Sequence, residues 1–220
     1  MQTIRALTRT VTDIVLGGAL HGFCIGSAKN LLYGTRSAIK VPMLLLGTAL
    51  VCALAYHVVA RALGVRLPFA TVQHASLQLF RRIALGLASL APVSLFLGHN
   101  MDPPRGEHLG GYPGFVGMHV VFVAAAGLTG LAAQAQELHH QQQLALARVR
   151  AVIACWLLLS LLVGGQFAFY LRPFFGIASL TGAPPFLLGD EPTVTGARNF
   201  YEVVWQFVVG ASLPGRAGGG

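Results

Sequence analysis

Four apolar runs, at 41–60, 83–97, 114–133 and 151–171, dominate the chain and constrain its fold more than any other feature. A bilayer core is about 30 Å thick, and an α-helix needs roughly 20 apolar residues to cross it. The runs are separated by basic residues and by turn-forming residues, so they read as successive crossings. Charge supports the same reading. Only 10% of the 220 residues are charged and 55% are hydrophobic, whereas a soluble domain carries about 25% charged residues. The expected fold class is therefore all-α: a polytopic transmembrane bundle of about four spans, or five if 11–28 also crosses, with a C-terminal interfacial amphipathic helix.

The domain organisation follows from the same pattern. Residues 1–40 form a basic, Gly-containing entry segment, expected to be interfacial or re-entrant. Thr12 or Asp13 is its expected helix cap, and Gly17, Gly18, Gly22 and Gly26 weaken it as a helix. It lacks the order of charge, apolar run and small-residue site that marks a cleavable signal peptide. The bundle occupies 41–171. Lys40 and Arg61 bracket span one and are expected to snorkel to opposite interfaces, and Pro42 is expected in the first turn. Residues 67–80 are too polar for a confident span and read as an interfacial helix or the lead-in to span two. Span two carries Pro92, where a kink is expected. Small residues four apart, Ala84 and Ala88, Ala126 and Gly130, Ser160 and Gly164, supply faces for close helix approach. Residues 134–150 form a polar, helical connector. Residues 172–209 make an ordered loop and an amphipathic helix, and 210–220 a flexible Gly-rich end. The helix is expected to start at Asn199, with Glu202 three residues on in a variant capping box, and Tyr201 and Trp205 suit an interface. On four spans, the Lys and Arg distribution weakly favours both termini inside.

The net charge of +8 does not imply nucleic acid, because the basic residues lie at the ends of apolar runs where lipid headgroups sit and no groove-reading motif is present. Cys24, Cys52 and Cys155 are far apart and read as small buried hydrophobes rather than a disulfide or metal site.

Intramembrane polar residues are the default place to look for function. His57 and His119, on spans one and three, are the candidates for a shared haem or a polar path, each with the plainer alternative of bonding a carbonyl or water near an interface. A transport path would add Thr48, Ser89, Ser94 and Gln166. His139-His140, followed by three glutamines, reads as a solvated connector rather than a metal site, since adjacent helical residues point about 100° apart. No span carries a charge at its centre, which weighs against pumps and ion-coupled transporters. No catalytic motif appears, so no catalytic residue, metal ligand or cofactor is assigned.

The end of span four and the tail carry Gly164-Gly165-Gln166, then Leu171-Arg172-Pro173-Phe174-Phe175-Gly176, then Asn199-Phe200-Tyr201. This pattern resembles the C-terminus of an uncharacterised bacterial multi-pass membrane protein family that reads Gly-x-Gln, Leu-Arg-Pro-Phe-x-Gly and Asn-Phe-Tyr. The likeness covers roughly 30–210, with the tail as its specific part. After Pro185-Phe186, Gly189-Asp190-Glu191-Pro192-Thr193 replaces the family's basic-acidic pair. The arrangement of spans is also loosely similar to the Yip-type membrane domain. The resemblance implies a multi-pass protein of the bacterial inner membrane and supplies no activity.

Read physically, Gln166, Arg172, Pro173, Asn199 and Glu202 are expected to lock the tail onto the bundle, with Arg172 bonding loop carbonyls or Glu202 through its planar fork of donors. The leading functional expectation is a non-catalytic membrane subunit, a scaffold or assembly partner in a larger complex. Its partners would be the lipid bilayer and other membrane subunits or further copies of itself. The alternatives are a transporter or channel component and a haem-binding subunit using His57 and His119.

Overall fold

The computed structural model describes residues 2–100, 112–142, 145–174, 186–187, 198–202 and 205. Five long helices run in alternating directions: α1 (Gln2–Ser27), α2 (Leu31–Ala62), α3 (Phe69–Asn100), α4 (Tyr112–Gln142) and α5 (Leu146–Leu171). All five are long and apolar enough to cross a membrane. Among the described residues the fold is all-helical, that of a multi-pass membrane protein.

The entry segment is the main revision. It forms a continuous 26-residue helix packed on α2 and α3, not an interfacial or re-entrant stretch. Its glycines explain why. A Cβ at Gly22 would run into the Ser37 carbonyl, and one at Gly26 into the Tyr33 carbonyl. A Cβ at Gly18 would lie 3.2 Å from the Pro42 nitrogen, and one at Gly17 would lie 2.7 Å from the Ala84 carbonyl oxygen of α3. The cost of glycine in a helix is offset because bare backbone lets three helices approach closely, which is how helices associate where no hydrophobic force acts between them. Asp13 does not cap the helix. It lies within it and forms an ion pair with Arg81 of α3 at 2.6 Å.

The other helices extend beyond the apolar runs. α2 starts at Leu31 because Asn30 caps it, its side chain accepting the Tyr33 N–H at 2.9 Å. Pro42 is consequently interior to the helix rather than in its first turn. α2 ends at Ala62, and just beyond its cap Gly64 (φ +76°) takes a left-handed conformation that glycine adopts without penalty. The Gly64 N–H donates to Arg61 O and the Val65 N–H to Ala60 O, the paired bonds of a Schellman stop. Residues 69–80 are the first turns of α3, so the polar stretch there is the lead-in to span two, and Pro92 lies inside the same helix. The polar connector is divided between the end of α4 and the start of α5.

Three buried clusters hold the bundle. Ile14, Val41, Leu45, Ala49, Phe80 and Ala84 join α1, α2 and α3. Cys52, Tyr56, Val72, Leu138, Val152 and Trp156 join α2 to α5 with the starts or ends of their neighbours, and Tyr56 stacks on Trp156 with ring centroids 4.5 Å apart. Ile25, Ala28 and Phe115 close the opposite end. Large apolar side chains such as Leu50, Leu54, Val120, Val121 and Leu161 point outward, as a lipid-facing surface requires.

Among the described residues, five helices put the start of α1 and the end of α5 at opposite ends of the bundle, so the expectation of both termini inside, which rests on four spans, does not carry over. Arg5, Arg9, Arg61, Arg66, Arg148 and Arg150 lie toward the α1 N-terminal end. Lys29, Arg36 and Arg172 lie toward the other.

Candidate functional site

At the second end, where α1 stops, α2 begins and α5 ends, the chain folds back on itself. Lys40 sits within α2 with no solvent-accessible surface. It was expected to snorkel outward. Instead its ammonium donates to the Pro173 carbonyl at 2.9 Å and lies 5.0 Å from the centre of the Phe186 ring and 6.0 Å from that of Phe174. A carbonyl and two ring faces are a low-cost way to hold a buried cation. One turn earlier on the same face, the Ser37 hydroxyl donates to the Phe174 carbonyl at 2.7 Å. The first residues after α5 are thus bonded to α2 through two successive carbonyls. The hydropathy of the sequence marked Lys40 as a boundary, because the apolar run starts at Val41. The signal missed was the Asn30 cap, which begins the helix three turns earlier.

The tail pattern makes a second contact, on α5. A Cβ at Gly165 would run into the Phe200 ring, so the ring occupies space that only glycine leaves. Beside it, the Gln166 side-chain oxygen accepts the Phe200 N–H at 3.2 Å. That N–H belongs to the first turn of a helix, one of the donors a helix leaves unsatisfied. The Tyr201 hydroxyl donates to the Leu162 carbonyl at 3.1 Å. Asn199 accepts the Glu202 N–H at 2.9 Å, while the Glu202 carboxylate accepts from the Arg198 N–H and the Asn199 amide. Leu162, Gly165 and Gln166 on one side and Phe200 and Tyr201 on the other are therefore the two surfaces of one contact. Arg172 lies with its guanidinium carbon 3.6 Å from the centre of the Phe169 ring. Helix is described at Phe200–Glu202 and Trp205; the rest of the expected amphipathic helix, the Asp190-Glu191 loop and the Gly-rich end lie outside the described residues.

The histidine pair of the sequence reading is not brought together. His57 sits toward the α1 N-terminal end of the bundle, edge-on to Phe69 at 5.5 Å, and His119 lies near the opposite end. One haem cannot be shared between them. His119 is paired instead with His21 of α1, ring centroids 5.9 Å apart, and both are buried. The His119 Nδ1 bonds the Phe115 carbonyl at 2.7 Å. His21 was hidden because the entry segment was not read as a span. The proposed polar path is dispersed as well. Ser89 is exposed and bonds its own Gly86 carbonyl, Thr48 faces Gly164, and Gln166 serves the tail.

Charged side chains also tie the helices to one another. Besides Lys40 and the Asp13–Arg81 pair, Arg82 of α3 donates to Gln134 at 3.0 Å and to Glu137 at 2.7 Å, both on α4. Among the described residues, no group of three metal-ligating side chains converges.

No family model, curated protein or solved structure matches this chain.

Proposed function

We propose that this protein is a non-catalytic membrane subunit, a scaffold or assembly partner in a larger complex of the bacterial inner membrane. The observation that carries the reading is how the charged groups within its helices are used. Lys40, Asp13, Arg81, Arg82 and Glu137 each bond a neighbouring helix or the tail, and Arg82 also bonds the buried Gln134, so these charges, buried at Lys40 and partly exposed in the two ion pairs, serve assembly of the bundle. A transporter usually directs such groups toward a substrate or an ion. The tail contact supports the same reading. It fixes a polar segment at one face of the bundle while leaving Tyr201 and Trp205 exposed, and exposed aromatics at a fixed site are what a partner surface uses as anchors. The resemblance of the C-terminal pattern to a bacterial multi-pass family is part of this proposal.

Extraction from the native membrane in mild detergent, followed by mass spectrometry of whatever co-migrates, tests it. A reproducible set of partners in fixed ratio, lost in Trp205→Ala, is the expected result. A homogeneous single species with no partner would remove the reading.

The buried His21–His119 pair favours a second reading, a transport or cofactor-binding component. That reading requires solute flux in liposomes, or a visible absorption band, that disappears in His21→Phe.

A further inference from the structure

We infer that the groove between α4 and α5 is a binding site for one anionic phospholipid of the surrounding bilayer. Among the described residues, α4 and α5 touch less than any other neighbouring pair of helices. Between them lies a laterally open cleft of about 470 Å³. Its walls are apolar: Leu128, Ala132 and Ala135 from α4, and Ile153, Ala154 and Leu157 from α5. Val149 lines it and belongs to the buried cluster beneath, against which Ala135 and Ile153 also pack. From Leu128 to His140 the groove runs about 18 Å at the rise of an α-helix, close to the roughly 15 Å that one leaflet contributes to the hydrocarbon core.

The chemistry changes at one end. There Gln136, His139 and His140 from the last turns of α4 meet Arg150 from the first turns of α5. That end is the one where α2 stops with Arg61 and α3 starts after Arg66, at the level expected for headgroups. An apolar channel one leaflet long, ending in a guanidinium and imidazole donors, matches a phospholipid with its acyl chain along the walls and its phosphate at Arg150. Basic pockets between helices near an interface are the sites at which anionic headgroups are recognised. Arg150 is suited to this because its planar fork bonds a phosphate through two donors at once. A transmembrane helix of another subunit would fill the apolar walls equally well but gives no use to the cationic end. Charge complementarity therefore assigns the groove to lipid.

The test uses the full chain in mild detergent, titrated with phosphatidylglycerol or with phosphatidylcholine of the same acyl chains and weighed by native mass spectrometry. The expected result is retention of one phosphatidylglycerol in preference to phosphatidylcholine. In Arg150→Gln that preference falls about fivefold, the ratio that corresponds to ~1 kcal/mol for one basic residue at the membrane surface. Ala154→Phe, which fills the apolar part away from the charge, lowers retention of both lipids alike. Equal retention of the two lipids by the unaltered protein overturns the inference, as does full lipid retention in Ala154→Phe. A doubled mass without lipid, returned to the single chain by Ala154→Phe, also overturns it and gives the groove to a second copy. A loss of partners in co-purification leaves these arms untouched, so the lipid site and the subunit reading fail separately.

Discussion

Gly22→Ala is the change whose outcome the bundle geometry decides most sharply. Alanine favours a helix over glycine by about 1 kcal/mol, so in an uncrowded helical position the substitution stabilises. At Gly22 the new methyl meets the Ser37 carbonyl and approaches Val41 Cγ2 at 2.9 Å. The carbonyl is helix backbone and has no rotamer to change, so α1 and α2 must separate by on the order of 1 Å to restore ordinary contact. Overpacking of this kind costs about 1–3 kcal/mol, and contact with backbone belongs at the upper end. Subtracting the propensity gain leaves a destabilisation of about 2 kcal/mol. The control is Gly127→Ala in α4, where an added Cβ meets nothing within 4 Å and about 0.5–1 kcal/mol is gained. With 1 kcal/mol shifting the midpoint by about 2–4 °C for a chain of this size, Gly22→Ala lowers Tm by about 4–8 °C and Gly127→Ala raises it by about 1–4 °C. The assay is loss of the monodisperse peak after heating in one detergent. The chemical change is identical in both, so their difference isolates the α1–α2 contact. A Tm that rises in both variants would refute the packing of α1 through its glycines.

Three further outcomes follow from the contacts. Lys40→Met leaves the Pro173 carbonyl without its donor, and a lost hydrogen bond to a charged group is worth about 1.5–3 kcal/mol; hydrogen exchange at the Arg172 and Phe174 amides should accelerate at least tenfold, and unchanged exchange would show that this bond does not hold the segment. Gln166→Leu and Gly165→Leu should each release the 198–202 segment, read as faster exchange there with Tm of the bundle little changed; a collapse of the whole bundle instead would place the tail in the core. A double-mutant cycle of Asp13→Asn and Arg81→Gln should give a coupling of about 0.5–1 kcal/mol, the range for a partly exposed pair, and zero coupling would remove the pair from the ties between α1 and α3.

Much of the fold was legible because apolar length is a local property. The runs at 41–60, 83–97, 114–133 and 151–171 all lie inside helices. The Asn199–Glu202 spacing forms its bond, since a cap is read within four residues. The candidate site was legible only as a list. Gln166 and the Asn-Phe-Tyr pattern could be named together, but that Gly165 makes room for Phe200 depends on a fold that returns the chain across 34 residues. His57 was paired with His119 because both stood in recognised spans. The partner of His119 is His21, on a helix whose glycines lowered its hydropathy and concealed it.

The sequence by itself determined that the chain is a helical membrane bundle, because the bilayer rejects any stretch whose backbone is not internally bonded and the chain carries too little charge for another solvent. Only the tertiary structure decided the meaning of its glycines, histidines and Lys40. A glycine in a helix reads as a weakness until a second backbone lies against it, and a lysine beside an apolar run reads as an anchor until a cap three turns away fixes where the helix begins. Contact partners depend on helix order and approach distance, which no local window of sequence contains.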